Sequence, residues 1–170
     1  MELSTSRLKL RAWNKGDEKS LLMYANNRKV SINLRDRFPF PYTQKDALEW
    51  IELANQSSPL ESFAIELDGH AIGGIGLILG TDIFRCSAEV GYWLGEPYWG
   101  KGLMTDALTL ITEYAFKNFD LTRVWAGVFD WNPASAKVLE KAGYTFESRK
   151  KRSAIKDGKI VDELIYAVVR

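Results

Sequence analysis

Between Ala88 and Ala107 the chain reads AEVGYWLGEPYWGKGLMTDA, an apolar strand pattern that runs through a glycine-bearing loop into a helix pattern. The stretch Trp99-Gly100-Lys101-Gly102 carries two glycines, so its main-chain N–H groups can approach a ligand and converge on it. A helix opening near Leu103 adds the positive end of its dipole and its first unpaired N–H groups. Together these make a seat for a phosphate or pyrophosphate. Upstream stands Glu89, an acid between Ala88 and Val90 in an otherwise apolar run. A carboxylate there can take a proton from a nucleophile, directly or through water. Strand alternation also allows a plainer reading, in which Glu89 points to the solvated face while Ala88 and Val90 point inward.

Other phosphate-binding patterns fail on spacing. No GxxxxGK followed by Ser or Thr exists in the chain. A GxGxxG fingerprint would need a third glycine after Gly100-Lys101-Gly102, where Leu103, Met104 and Thr105 stand instead. Gly73, Gly74 and Gly76 miss the same spacing, and they read as sites of close packing or a bulge. A nucleoside triphosphatase and a nicotinamide enzyme are both disfavoured.

With 170 residues, 46% hydrophobic and 26% charged, the chain fits a single domain spanning 1–170 with a proper core. A formal net charge of +1 gives no global reason to expect nucleic acid. The lone Cys86 excludes an internal disulfide, and with the lone His70 it cannot build a conventional zinc site, so no metal is expected. The start MELSTSRLKLR lacks the apolar core of a secretory signal, and no apolar run is long enough to span a membrane. A cytoplasmic, non-membrane protein is the expectation.

Alternation predicts a half-buried strand over Arg7–Trp13, with Lys9 and Arg11 on its polar face. A helix follows over Asp17–Asn26, burying Leu21, Leu22 and Ala25, then a proline-broken loop over Asn33–Tyr42. Thr43 caps a second helix whose Ala47, Trp50, Ile51 and Ala54 share a face. Strands over Ser62–Leu67 and Ala71–Leu79 meet at an Asp68-Gly69 hairpin turn. Beyond the polar Thr81–Arg85 loop come the strand Ala88–Leu94 and the helix from Leu103, whose Ala107, Leu110, Ile111 and Tyr114 form an apolar stripe. A strand over Arg123–Phe129 leads to Asn132-Pro133, the cap and first position of a short helix that stops at Gly143. The tail is a hairpin, Tyr144–Ile155 and Lys159–Val169, turning at Asp157-Gly158. A mixed α/β sheet flanked by helices fits this order.

Four segments in this order, STSRLKLR, FPYTQKDALEWI, AEVGYWLGEPYWGKGLMTDAL and NPASAKVLEKAGY, resemble the GNAT superfamily of N-acetyltransferases, and within it the RimJ/RimL-type group that acetylates ribosomal-protein N-termini. The resemblance covers nearly the whole chain. It implies the GNAT fold, a central, mixed, mostly antiparallel sheet of about seven strands flanked by about four helices and splayed between strands 4 and 5. It implies acetyl-CoA as co-substrate, with the pantetheine arm beside Tyr92, Trp93 and Leu94. Main-chain donors from Trp99, Gly100, Lys101, Gly102, Leu103 and Met104 would then hold the pyrophosphate. The family pattern in this loop is Gln or Arg, two residues, Gly, one residue, then Gly or Ala. Gly102 matches the central glycine; Trp99 and Met104 depart from the pattern in the manner of the RimJ/RimL branch.

Acyl transfer from a thioester needs a neutral amine, oxyanion stabilisation and an exit for the thiolate. An α-amine with pKa ~8 costs about 1.4 kcal/mol to deprotonate at pH 7, against ~4.6 kcal/mol for a lysine with pKa ~10.4. Glu89 is the candidate base, and the N–H groups near Trp93 and Leu94 are the candidate oxyanion donors. Many relatives place a tyrosine where this chain has Leu139, so Ser135, one turn earlier, becomes the candidate partner of the leaving group. The plain alternative for Ser135 is a helix-surface hydroxyl. Asn132 is expected to contact coenzyme A as well as to cap its helix. The loop with Arg35, Arg37, Phe38 and Phe40 falls where relatives build the acceptor side, with Arg35 and Phe40 the candidate contacts. Trp131 and Tyr92, at strand ends near the expected cleft, are candidates to shape the acceptor pocket. The run Arg149-Lys150-Lys151-Arg152 could meet a phosphate, an acidic substrate or RNA, but reads first as a solvated hairpin. The implied partner is an amine-bearing acceptor, a protein N-terminus or a small molecule, with nucleic acid entering only as ribosome context and a homodimer possible. The alternatives are a catalytically idle acyl-CoA sensor and, third, a nucleic-acid-binding module.

Overall fold

The computed structural model describes residues 2–170. One sheet runs through the molecule in the order β1-β2-β3-β4-β5-β6-β8-β7. Its strands are β1 (Glu2–Ser4), β2 (Lys9–Arg11), β3 (Ser62–Leu67), β4 (His70–Leu79), β5 (Ser87–Leu94), β6 (Arg123–Phe129), β7 (Thr145–Lys156) and β8 (Lys159–Val169). Every neighbouring pair is antiparallel except β5 and β6. The helices are α1 (Glu18–Tyr24), α2 (Arg28–Ser31), α3 (Gln44–Ala54), α4 (Leu103–Asn118) and α5 (Pro133–Lys141). Among the described residues no helix is long and apolar enough to cross a membrane.

Local chemistry fixes the turns and the caps. Asp68 (φ 50°) and Gly69 (φ 82°) both adopt positive φ, the pair of values a type I′ hairpin turn requires, and Asp157-Gly158 repeats the device. At α3 the Thr43 side chain accepts from the Asp46 N–H while the Asp46 carboxylate accepts from the Thr43 N–H, a reciprocal capping box. Asn132 caps α5 by accepting from the Ser135 N–H. The α4 stripe of Leu103, Ala107, Ile111 and Tyr114 buries against one face of the sheet, together with Leu139 of α5. The other face is covered by α1 and α3, where Trp13, Leu21, Ala47 and Ile51 pack on Ala64 and Ala71.

The structure adds a strand to the seven expected, because Glu2–Ser4 pairs back onto Lys9–Arg11. It also adds a short helix, α2, beyond the Asp17–Asn26 helix expected, giving five helices rather than about four. Asn27 adopts extended backbone and accepts from the Lys29 N–H, which ends one helix and caps the next. Arg11 was placed on a polar face by alternation and is instead buried, since α1 and α3 cover that side. There its guanidinium binds Asp17 through Nη1 (2.7 Å) and Nη2 (3.0 Å), and Glu66 through Nε (2.5 Å). Leu22 is only half-buried, whereas Leu21 and Ala25 lie in the core as expected.

A partly buried network of this kind is costly to break from one side, because the remaining carboxylates keep their desolvation without their cation. Replacing Arg11 with Met is expected to remove about 3 kcal/mol or more of stability, read as a lower urea midpoint at unchanged slope. A midpoint within error of the wild type would show that Asp17 and Glu66 are solvated enough to stand alone.

Candidate active site

The bonding of β5 differs on its two sides. Against β4 it is paired along its length, from Ala88 opposite Leu79 to Leu94 opposite Gly73. Against β6 it is paired only at Ser87–Arg123, Ala88–Val124 and Glu89–Trp125. Past Glu89 the two strands part, each held by a different neighbour. β6 stays on β8 through Phe129. The exit of β5 is held against α1: a Cβ on Gly95 would come within 3.0 Å of the Tyr24 ring, and the Tyr24 and Tyr98 hydroxyls share a hydrogen bond of 2.9 Å. Gly73 and Gly74 of β4 let this end pack closely, as their spacing implied. A Cβ on Gly74 would stand 2.8 Å from Trp93 Nε1, and one on Gly73 would collide with the Trp93 carbonyl.

N–H groups alternate sides along a strand. The Gly95 N–H donates to the Ile72 carbonyl on β4 (2.8 Å), so the Leu94 and Tyr92 N–H groups point the opposite way, toward the gap. The Trp93 N–H faces Gly74, its β4 partner. This corrects the expected Trp93/Leu94 donor pair: Trp93 faces β4, and Leu94 is joined on the gap side by Tyr92. Main chain left unpaired on one side of a central strand matches an extended, amide-bearing arm, which can bond to it as another strand would.

The glycine loop lies at the end of this gap. Gly100 (φ 73°) and Gly102 (φ 76°) adopt the left-handed conformation, and no side chain caps α4 at Gly102. The Trp99 N–H is committed to the Glu96 carbonyl (3.2 Å), and its indole N–H holds the Leu94 carbonyl (2.7 Å). Trp99 therefore shapes the loop rather than donating to a ligand, and the available donors begin at Gly100. Leu103 and Met104 turn their side chains into the core, so Met104 does not block the approach of a ligand to its N–H. Arg7, 94 residues away in sequence, bonds the Lys101 carbonyl through Nη1 (2.8 Å) and the Asp106 carboxylate through Nε (2.8 Å). Its guanidinium would stand 3.3 Å from a Cβ on Gly102. Lys101 reaches over the Tyr98 ring at 5.5 Å. An uncapped helix start with two cations beside it fits a diphosphate.

The two faces of the gap carry different chemistry. On the α4/α5 face, Tyr92 Oη and Ser135 Oγ are 2.6 Å apart, with Asn132 at the head of the same helix. Burial pushes the Tyr92 phenol well above its ordinary pKa. Leu139 is fully buried, so that position supplies no acid. On the opposite face the Glu89 side chain, 17% exposed, pairs through Oε1 with Arg35 Nη2 at 2.5 Å. The structure thus joins two residues that the sequence assigned to base and acceptor contact separately. Next along β5, Gly91 is exposed, and a Cβ there would meet nothing. Phe38 packs edge-on to Trp93, with centroids 5.5 Å apart. Phe38 thus takes the place against Trp93; Phe40 is 47% exposed with Arg28 stacked over its ring. Trp131 donates from Nε1 to Asn33 Oδ1 (3.0 Å).

Arg149 bonds Asp162 and Asp130, and Lys150 bonds Glu163, so the basic run lies on a solvated hairpin as read. His70 and Cys86 are exposed, and among the described residues no cluster of metal-ligating side chains occurs. Arg7 and Asn33 carry no site signal in the sequence, and Phe38 stands there undistinguished from Phe40 in the same loop. Each acts across a long stretch of chain, and no local spacing marks them.

An open sheet with one parallel pair that splits above an uncapped helix suits a ligand with an extended amide-bearing arm and a diphosphate. The acetyltransferase (GNAT) domain model matches residues 7–145. A probable N-acetyltransferase of Bacillus subtilis, YjcK, is 37% identical over 83 residues, covering 49% of this chain and 46% of the relative. The putative ribosomal N-acetyltransferase YdaF of the same organism is 30% identical over 103 residues, covering 61% of this chain and 56% of its own. The matches thus span about half the length of these two relatives. Among solved structures, RimL, a ribosomal L7/L12 alpha-N-protein acetyltransferase in complex with coenzyme A, superimposes with a TM-score of 0.85 at 22% identity, over 99% of this chain and 98% of its own. The chain belongs to the GNAT family of N-acetyltransferases, whose acetyl donor is acetyl-CoA.

The Arg7 brace yields a direct expectation. Arg7→Ala should raise the Kd for coenzyme A about tenfold, a loss of ~1.4 kcal/mol, and flatten its dependence on salt. Calorimetry at two ionic strengths checks this. An unchanged Kd would mean that the loop keeps its shape and charge without the brace.

Proposed function

We propose that the chain transfers the acetyl group of acetyl-CoA to a free α-amine at a protein N-terminus, by direct attack within a ternary complex. The observation that carries this reading is the β5–β6 gap, with Glu89 on one face and Ser135 on the other. Such an arrangement lets an amine arrive from one side while a thiolate departs from the other.

When bound, acetyl-CoA supplies a thioester carbonyl of acceptable reactivity and a leaving thiol. N–H groups from Gly100 to Met104 would hold its diphosphate, with Arg7 and Lys101 adding positive charge, and Asn132 offers a further polar contact. The Leu94 and Tyr92 N–H groups are aimed to receive negative charge that develops on the carbonyl oxygen. Glu89 keeps Oε2 for the proton of the amine while Arg35 holds Oε1, which fixes the rotamer of the base. Trp93 and Phe38 provide apolar surface on the Glu89 face of β5, and Trp131, bonded to Asn33, lines a cavity with Ile32 and Lys159.

Two observations favour a peptide terminus over a polycationic amine. The acids near the acceptor face are already paired: Glu89 with Arg35, Asp36 with Lys156, Asp157 with Arg28. The remaining surface is aromatic rather than acidic. The match to a putative ribosomal N-acetyltransferase supports the same acceptor class. The magnitudes agree, since a single carboxylate can relieve the ~1.4 kcal/mol needed by an α-amine far more readily than the ~4.6 kcal/mol of a lysine side chain. A ribosomal-protein acceptor would place the reaction in the cytoplasm.

The test follows thiol release from acetyl-CoA with peptides bearing free N-termini, lysine-only peptides with blocked N-termini, and polyamines. Turnover is expected with free N-termini, and kcat/KM should rise with pH toward the pKa of the amine, ~8, as its neutral fraction grows. Glu89→Gln should lower kcat about 100-fold at pH 7. Its deficit should shrink above pH 9, where the amine no longer needs a base. Full kcat in the Gln variant from pH 6 to 9 would remove Glu89 from the mechanism. Coenzyme binding without turnover on any amine would turn the reading toward an acyl-CoA sensor.

A further inference from the structure

The hydroxyl of Tyr92 has little freedom. Its ring packs against the core beneath α4 and α5, and burial keeps the phenol protonated through the neutral range. A phenol has one hydrogen to donate. Among the described residues the recorded partner of Tyr92 Oη is Ser135 Oγ, at 2.6 Å. The nearby Tyr144 hydroxyl is engaged with Thr112 Oγ1 at 2.7 Å. Ser135 Oγ is the acceptor within reach of the half-buried Tyr92 O–H, and leaving that hydrogen unmet would cost about 1–3 kcal/mol, which favours donation from Tyr92 to Ser135. A serine hydroxyl rotates freely, and once its oxygen accepts from Tyr92 its own hydrogen must point elsewhere. Serines in helices often bond back to the carbonyl four residues earlier, but Ser135 sits in the first turn of α5 and makes no such bond.

We propose that Tyr92 is a positioning residue: by donating to Ser135 Oγ it turns the serine's own hydrogen into the gap between β5 and β6, toward the departing sulfur. The inference rests on the reading of Ser135 as the partner of the leaving group. In that reading the amine nitrogen bonds to the carbonyl carbon, the C–S bond breaks with its electron pair on sulfur, and the amine's proton passes to Glu89. Ser135 then stabilises the sulfur by a hydrogen bond alone. No proton leaves Tyr92, because a phenol raised by burial is a far weaker acid than a thiol with pKa ~8.5. This also explains why the chain dispenses with an acid at Leu139: the oriented serine meets a thiolate that already leaves well.

A double-mutant cycle on Tyr92→Phe and Ser135→Ala tests the coupling, with kcat and the KM for acetyl-CoA measured for all four proteins. Ser135→Ala is expected to lower kcat about tenfold and Tyr92→Phe about fivefold, with KM within twofold. The double variant should be no slower than Ser135→Ala alone. Independent, multiplying losses would overturn the proposal, since a merely structural tyrosine would add its own defect. Wild-type kcat in Ser135→Ala would remove the parent reading of the serine, and this inference with it. A slow Ser135→Ala beside a full-rate Tyr92→Phe would remove this inference alone. Should Tyr92→Phe fail to fold, uniform 3-fluorotyrosine labelling strengthens phenol donors without changing shape. The label must then alter kcat in the wild type and leave it unaltered in labelled Ser135→Ala; an equal response in both would overturn the proposal.

Discussion

β5 and β6 share a ladder only from Ser87 to Glu89 and from Arg123 to Trp125, and past that point each is held by another element. β6 remains bonded to β8, and the end of β5 is tied through Gly95 and Tyr98 to α1. Main-chain N–H and C=O groups in the middle of a sheet are costly to leave unmet, so the parting can persist only where something else bonds to them. The gap therefore leaves main-chain groups of β5 free for another bonding partner. It also opens both faces of the sheet to one point, which a fully paired strand would keep apart.

That geometry lets two separately built halves of the molecule cooperate. The helical layer of α4 and α5 contributes the uncapped helix start, Asn132 and the Tyr92–Ser135 pair. The layer made by α1, α2 and the loop that follows contributes Arg35 and Phe38 to the Glu89 face. Charge is distributed in the same sense, with Lys101 and the Asp106-bound Arg7 beside the glycine loop and carboxylates already paired with cations on the Glu89 face. Neither half holds a complete site.

Much of this was legible in local spacing. The Asp68-Gly69 and Asp157-Gly158 turns, the Thr43 and Asn132 caps and the α4 stripe are short-range devices whose physics lies within a few residues of chain. Gly100 and Gly102 announced a loop of little bulk opening into a helix, and the structure shows that both take the left-handed conformation. Alternation failed at Arg11, because period-two patterning assumes that one face of a strand meets water, and here helices cover both. It also could not tell Phe38 from Phe40: a proline-rich loop has no period, so which aromatic turns inward depends on Trp93, more than fifty residues downstream.

The sequence by itself determined most of the order of elements, the turns, the glycine loop before α4 and the kinship with the GNAT acetyltransferases, because each is written in residues that are neighbours or in segments of fixed order. Only the tertiary structure decided where β5 leaves β6, which N–H groups face the gap, that Arg7 braces the loop, that Arg35 holds Glu89 and that Tyr92 holds Ser135. The last three are contacts between residues 43 to 99 positions apart. Their partners are chosen by packing of whole elements, and a linear pattern carries no record of that choice.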